Sequence, residues 1–375
     1  MNKSDHAKNS YMLRGSLAKR GFVRWFHFFT GIQRETGERR SFFIEYQILN
    51  PSLGKEQPVL GQYPYFKKRG IKPSYVLIKA GALPDADGSG GTQLNAFYPI
   101  SSLRAADNPF VFQVEDCFYS ETHIEGYVDV TSEEACHRSF MTDAGCIEWN
   151  LEVHKAVACN MGFITGPFCT AAGALADFWH AEGVRTFYRG WISLNGVRYE
   201  AEPESCYGYA DKNWGKRANH PLLLLSSAHL ISRQNHKEYK HSSLVVTGCF
   251  PKLLFIPLKR RLMIQLTHMG EEFEFHFARI SNISKCKWKI RETNRRYIWH
   301  IKAHNKNALI KISLSCTKAQ LMKLLYEGPD GELPDEPILC GGNGIGTVEI
   351  YRKSDSALEL LDTLGVEEAL CMYQA

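Results

Sequence analysis

Eight residues, Gly208-Tyr209-Ala210-Asp211-Lys212-Asn213-Trp214-Gly215, place a phenol, a carboxylate, an ammonium, an amide and an indole between two glycines. In an extended segment, side chains alternate faces. Tyr207, Tyr209, Asp211 and Asn213 then point one way, and Gly208, Ala210, Lys212 and Trp214 the other. One face becomes a row of proton donors and acceptors with Asp211 at its centre, and the chemistry open to such a row is general acid catalysis. An exposed carboxyl group, with a pKa of about 4, is ionised at neutral pH. Burial raises that value and keeps the group protonated. The bland alternative is a strand end where Asn213-Trp214-Gly215 closes a turn and Asp211 bonds backbone amides. Composition alone favours the turn.

Glu45 is a second carboxylate of interest, because it interrupts the apolar run Phe42-Phe43-Ile44-Glu45-Tyr46. His27 interrupts Phe22 to Phe29 in the same way. Polar residues in aromatic strands commonly face solvent, and a one-residue slip in register changes the face. If both point inward, they form a polar pair in a greasy cavity. The stretch Phe178-Trp179-His180-Ala181-Glu182 has the His-x-Glu spacing of a zinc deaminase but no Pro-Cys-x-x-Cys downstream. It reads as surface polar residues around a buried Trp179. Gly341-Gly342-Asn343-Gly344-Ile345-Gly346 precedes a strand-like Thr347 to Tyr351, whereas a phosphate loop opens a helix. It reads as a turn with left-handed glycines. No metal site, serine-hydrolase elbow or zinc-protease motif is expected.

The elements that must position these groups are strands. Phe22 to Phe29, the turn signal Glu35-Thr36-Gly37-Glu38 and Ser41 to Leu49 form a hairpin pattern. Short strand patterns recur at Tyr75, Phe97, Phe110, His123 and Ile147, and in the second half from Leu222 to Ser315, with Met269-Gly270-Glu271 as a hairpin turn. Thr317 to Tyr326 reads as a helix with Thr317 as its N-cap. Recurring strands with turn residues between them indicate an all-β chain with antiparallel barrels or sandwiches and a few short helices.

A chain of 375 residues exceeds a usual single core. The expected division is a loose arm over 1–20, one β domain over 21–200 and another over 201–375. The net charge of +5 is spread along the chain, which argues against nucleic-acid binding. Eleven cysteines, an odd count without a Cys-x-x-Cys pair, and a polar N-terminus suit a cytoplasmic protein without disulfides. Between Lys155 and Asp177 no charge occurs, but Asn160, Pro167 and three glycines argue against a membrane span. A loop and short helix at a cavity mouth is expected there, with peripheral membrane contact as the minor reading.

Tyr209-Ala210-Asp211-Lys212-Asn213-Trp214-Gly215 resembles the Tyr-Ala-Glu-Lys-Asn-Trp-Gly signature of the tocopherol cyclase family. More distantly it is similar to the Tyr-x-Asp-His-x-Trp-Gly element of carotenoid hydratases and lipocalin-like pericyclases. Gly21 to Phe28, Phe43 to Tyr46, and Tyr188 to Ile192 with Tyr199 resemble strands of the same family. Two departures stand out: Asp211 is one methylene shorter than the plant-type Glu, and Lys216 to Pro221 replaces an aromatic-proline pair. The resemblance implies two lipocalin-like barrels with the signature near their junction. It also implies cofactor-independent, acid-catalysed cyclisation or isomerisation of a prenylated or polycyclic lipid. Asp211 would be the acid and Tyr209 and Asn213 would orient it. Trp25, His27, Glu45, Tyr46, Lys212 and Trp214 would bind the hydrophobic ligand, with Lys212 in a structural part. A lipocalin-type carrier without chemistry is the alternative. An enzyme needs Asp211 buried and protonatable; a carrier can leave it in a surface bond.

Overall fold

The run Phe22-Val23-Arg24-Trp25-Phe26-His27-Phe28-Phe29 has almost no alternation, the pattern of a strand buried on both faces. The computed structural model describes residues 10–159, 177–216, 223–249, 252–253, 256–257, 261–276, 284–354 and 357–374, and it bears this pattern out. Both faces of that strand are buried throughout the run. By contrast, Gly145–Val157 alternates buried and exposed positions, as a sheet with one wet face should.

The described chain is nearly all-β, with three short helices. The first sheet holds β1 (Phe22–Ile32), β2 (Arg39–Leu49), β3 (Tyr75–Ala82), β4 (Thr92–Tyr98), β5 (Arg104–Asp107), β6 (Phe110–Val114), β7 (Cys117–Ser120), β8 (His123–Val130), β9 (Gly145–Val157), β10 (Asp177–Leu194), β11 (Val197–Ala201) and β12 (Gly208–Gly215). Its order is β4-β3-β2-β1-β11-β10-β9-β8-β7-β6-β5, with β12 pairing β1 and β10. The sheet curls until β4 packs against β8, closing a barrel.

The remaining strands are β13 (Leu223–Ser227), β14 (His229–Ser232), β15 (Ser243–Cys249), β16 (Lys252–Leu253), β17 (Ile256–Pro257), β18 (Arg261–His268), β19 (Glu271–Phe275), β20 (Lys285–Glu292), β21 (Arg296–His304), β22 (Ala308–Thr317), β23 (Met322–Leu324), β24 (Ile338–Lys353) and β25 (Leu358–Tyr373). All but β16 and β17 join a second, half-barrel sheet, ordered β19-β18-β15-β13-β25-β24-β22-β21-β20. Short helices occur at Ser16–Lys19, Pro64–Lys68 and Ser132–Cys136. No helix among the described residues is long and apolar enough to cross a membrane.

Each sheet encloses its own apolar core, the first around Trp25, Tyr46, Phe112 and Trp149, the second around Leu225, Ile264, Trp299 and Ile350. A third cluster lies between them, where Phe26, Phe28, Phe43 and Tyr209 meet Leu224, Val245, Met263 and Met372. Arg39 clamps the seam with two parallel bonds to Glu368, at 2.8 and 3.0 Å. Tyr207 stacks on His229 at 3.9 Å with an interplanar angle of 3°.

Several expectations change. The signature strand β12 belongs to the first sheet, and the second begins at Leu223, downstream of residue 200. Of the expected N-terminal arm, residues 10–20 place Leu13 in the first core. The helix expected over Thr317 to Tyr326 is one 3-10 turn, Lys318–Gln320, followed by β23. The Thr317–Gln320 capping box is present, but pairing of β23 with β24 overrides helix propensity. Gly341 to Gly346 lie inside β24, where register shifts absorb them, and none has a positive φ. The Met269-Gly270 turn forms as expected, with φ of 52° and 80°. The stretch expected as a loop between Lys155 and Asp177 lies largely outside the described residues.

A Cβ on Gly208 would sit 2.4 Å from the Thr186 carbonyl oxygen and 2.5 Å from Tyr188 Cε2. Backbone cannot yield there as a side-chain tip can, so Gly208→Ala should destabilise the protein by about 2–4 kcal/mol. The urea midpoint measures this; an unchanged midpoint would mean β12 and β10 are not so close.

Candidate functional site

Alternation along β12 holds as the sequence reading required. Tyr209, Asp211 and Asn213 face outward from the first barrel into the seam, and Lys212 and Trp214 face inward. Pairing on both sides sets what Asp211 meets. β1 places Phe26 opposite Asp211 and Arg24 opposite Asn213, while β2 places Glu45 opposite Phe26 and Gln47 opposite Arg24. β3 then adds Lys79 opposite Glu45. The result is a cross-strand row Lys79, Glu45, Phe26 and Asp211 on the face that meets the second sheet.

Asp211 is 2% exposed. Its Oδ2 accepts from the Trp179 indole N–H at 2.9 Å and from the Tyr209 hydroxyl at 2.9 Å, and its Oδ1 accepts from Asn213 Nδ2 at 3.3 Å. Burial pushes its pKa up to about 6, against the opposing pull of Arg24 and the Trp179 and Tyr209 hydrogen bonds. Arg24 lies 3.8 Å from Glu45, and both are 1% exposed. Tyr326, from the second sheet's side of the seam, donates to the other Glu45 oxygen. Lys79 donates to the Leu325 carbonyl at 2.9 Å and lies 3.9 Å from the Tyr326 ring centroid. Its pKa falls to about 8 because burial disfavours the ammonium. Two cations and two carboxyl groups thus share one dry layer, where removing either sign leaves a costly uncompensated charge.

The inward face carries a separate polar set. Glu182, 1% exposed, pairs with Lys155 and accepts from the Tyr119 hydroxyl at 3.2 Å. Lys212 lies 5.3 Å from the Trp25 ring and 4.9 Å from the Trp214 ring, and donates to the Ser10 carbonyl. Burial lowers its pKa to about 7. His27 Nδ1 is 2.9 Å from the Tyr188 hydroxyl. That hydroxyl also lies 3.2 Å from the Tyr209 carbonyl, which accepts from it when His27 Nδ1 carries the ring proton. Burial, followed by Lys155, drives the His27 pKa down to about 3 and keeps it neutral.

The structure therefore divides the expected ligand wall. Trp25, His27, Tyr46, Lys212 and Trp214 belong to the first barrel's interior; Glu45, Tyr209, Asp211 and Asn213 belong to the seam. Glu45 and His27 are both buried rather than solvated, but on opposite faces, since His27 stands opposite Ile44 and Glu45 opposite Phe26. They make no pair. His180 and Glu182, expected at the surface, are 0% and 1% exposed. His180 pairs in register with Lys212, ahead of two register shifts in β10, and β10 is covered on both faces from Trp179 to Thr186. The sequence singles out none of Arg24, Lys79 and Tyr326, and it marks Trp179 as buried but not as a partner of Asp211. Arg24 had a signal: a guanidinium inside a strand buried on both faces requires a buried acid. Among the described residues, no group of three His, Cys, Asp or Glu is arranged to hold a metal ion.

Buried polar atoms without partners mark the seam's far wall. Ser226, Ser243, Thr247, Gln265 and Thr267 each carry an unpartnered side-chain oxygen. Each such atom costs about 1–3 kcal/mol if it stays dry and unpaired.

No protein-family model matches this chain, and no curated protein matches it. Solved structures similar to it include kievitone hydratase from Nectria haematococca, at 9% identity over 94% of this chain and 89% of that one, with a TM-score of 0.41. Another is a Nitrosomonas europaea protein assigned provisionally as AttH, at 11% identity over 97% and 96%, with a TM-score of 0.44. Likeness at this level leaves the chemistry to be argued from the residues themselves.

The Asp211 pKa, raised from 3.8 to about 6, has a consequence for stability. The folded state holds the Asp211 proton more tightly than the unfolded state does. This contribution is complete below pH 4 and is lost as pH rises through 6. Asp211→Asn mimics the neutral acid at every pH. The melting temperature of the variant relative to wild type should therefore increase between pH 4 and pH 7.5; a difference flat across that range would contradict the raised pKa.

Proposed function

We propose that this chain is an enzyme that performs acid–base chemistry on a largely apolar small molecule held between its two sheets, with Asp211 as the proton donor. The observation that carries the reading is the fully buried Asp211 carboxyl, oriented by Trp179, Tyr209 and Asn213 in an aromatic seam. A carrier gains nothing from burying an acid there, which favours the enzyme over the lipocalin-type carrier. The tocopherol cyclase-like signature adds the reaction type: cyclisation or isomerisation of a prenylated lipid without a cofactor.

The geometry suits that step. Oδ2 already accepts two hydrogen bonds of 2.9 Å, so the proton sits on Oδ1, whose single contact to Asn213 is longer. Oδ1 delivers it to a carbon–carbon double bond. The carboxylate left behind is stabilised by Arg24, the strongest opposing charge on Asp211. The resulting tertiary cation lies against Phe26, Phe28, Trp179 and Tyr209, each able to contribute about 2 kcal/mol when desolvated. Capture by a hydroxyl oxygen of the same molecule forms the ring and releases a proton, which returns to Asp211. The sequence of steps is a net isomerisation.

Asp211→Asn keeps shape and hydrogen bonding but removes the transferable proton. Turnover of a prenyl quinol should fall at least 10²-fold, with binding nearly unchanged. Activity should also decline as pH rises through about 6, where Asp211 loses its proton. Mass-spectrometric assay of cyclised product measures both. Full turnover by Asp211→Asn would place the acid elsewhere, with Glu45 the first residue to test.

A further inference from the structure

On the side of the second sheet, three neighbouring strands, β13, β15 and β18, contribute to the seam. Alternation gives them two faces. Leu225, Val246 and Ile264 fill the second barrel, while Leu224, Val245 and Met263 face the first sheet. Ser226, Ser243, Thr247, Gln265 and Thr267 share the parity of that second set and stand on the same face. Register ties them into rows. Ser226, Val245 and Gln265 lie side by side, as do Leu224, Thr247 and Met263, and Ser243 pairs with Thr267. None of the five is more than 7% exposed, and each has an unpartnered oxygen. Gln265 uses its amide nitrogen, donating to the Ala158 carbonyl at 3.4 Å, and leaves Oε1 to accept.

Folding alone does not explain this pattern. Valine or leucine at these positions would pack against the same neighbours without losing hydrogen bonds to water. In the same seam the Asp211 carboxyl, by contrast, is held through both of its oxygens. Strand spacing and rise give the array a span of about 10 by 13 Å, larger than one phenol ring. Hydroxyl groups can donate or accept, but Gln265 Oε1 only accepts, so whatever meets it must bring a hydrogen.

We propose that this face is the recognition surface of the Asp211 site, and that the molecule held there is oxygen-rich, with several hydroxyl or carbonyl groups distributed over its length. Ser226, Ser243, Thr247, Gln265 and Thr267 are the residues that determine specificity. The proposal rests on the acid–base reading for the location of the site, and it narrows the largely apolar small molecule to one that carries several oxygens. Its oxygens engage the second sheet while its reacting double bond lies toward Asp211 on the first.

Calorimetric titration of the full chain tests this with three probes: a prenylated trihydroxychalcone, the same compound permethylated, and squalene. The trihydroxychalcone should bind at least tenfold more tightly than its methyl ether, and squalene weakest. Thr247→Val and Gln265→Met should each weaken trihydroxychalcone binding about tenfold and leave the ether unchanged. Ser226→Ala with Ser243→Ala repeats the test with smaller changes should either variant fold poorly. Asp211→Asn should leave all three affinities as they are, so a failed acid assignment shows in turnover and a failed recognition surface shows in binding. Absence of trihydroxychalcone binding, or equal affinity for the ether, overturns the proposal. So do variants that melt higher without loss of affinity, since the oxygens would then hold trapped water only.

Discussion

The structure depends on β1, β2 and β12 being buried on both faces. Such strands have no wet side on which to place a charge, so every ionisable group they carry must find a partner inside the protein. Arg24, Glu45 and Asp211 do so on the seam face; Lys212 does so on the barrel face, near Glu182 and Lys155. One four-strand ladder thus separates two charged layers that never meet, although Asp211 and Lys212 are neighbours in the chain.

This arrangement explains why the local chemistry is held firmly. In the seam, Trp179 reaches Asp211 from β10, Arg24 comes from β1, and Tyr326 arrives from beyond β22 to hold Glu45, so the two carboxyl groups are fixed by elements far apart in sequence. Polar partners on rigid strands preserve orientation better than groups on loops. In the barrel, the Lys155–Glu182–Tyr119 contact does similar work for the bulged part of β10. A paired ion in such surroundings is weak evidence for stability, because desolvation opposes the Coulomb gain. Its presence is better explained by what it positions.

The second sheet has the opposite character. Its outer strands, such as β20, alternate exposed and half-buried residues, and its barrel core is aliphatic. Among its described residues, only the seam face combines aliphatic side chains with unpartnered oxygens. The two sheets therefore contribute different things to one space: the first an acid with its supporting charges, the second a surface that distinguishes molecules.

The all-β class, the opening hairpin and the separation of Asp211 from Lys212 were legible in the sequence, because a strand's two-residue period follows from backbone geometry alone. So was the placing of Tyr209, Asp211 and Asn213 on one face of β12. Which face would be dry was not legible, since that depends on what packs against each side. His27 and Glu45 are alike in the sequence, each a polar residue among aromatics, yet pairing register sent them to opposite layers. Glu182 is buried because β10 is covered on both of its faces, which depends on neighbouring elements and leaves no local signal. Arg24, Lys79, Trp179 and Tyr326 became partners of the acidic groups only when four distant segments closed over one seam. A strand encodes its own alternation; the chemistry of a buried face belongs to everything that covers it.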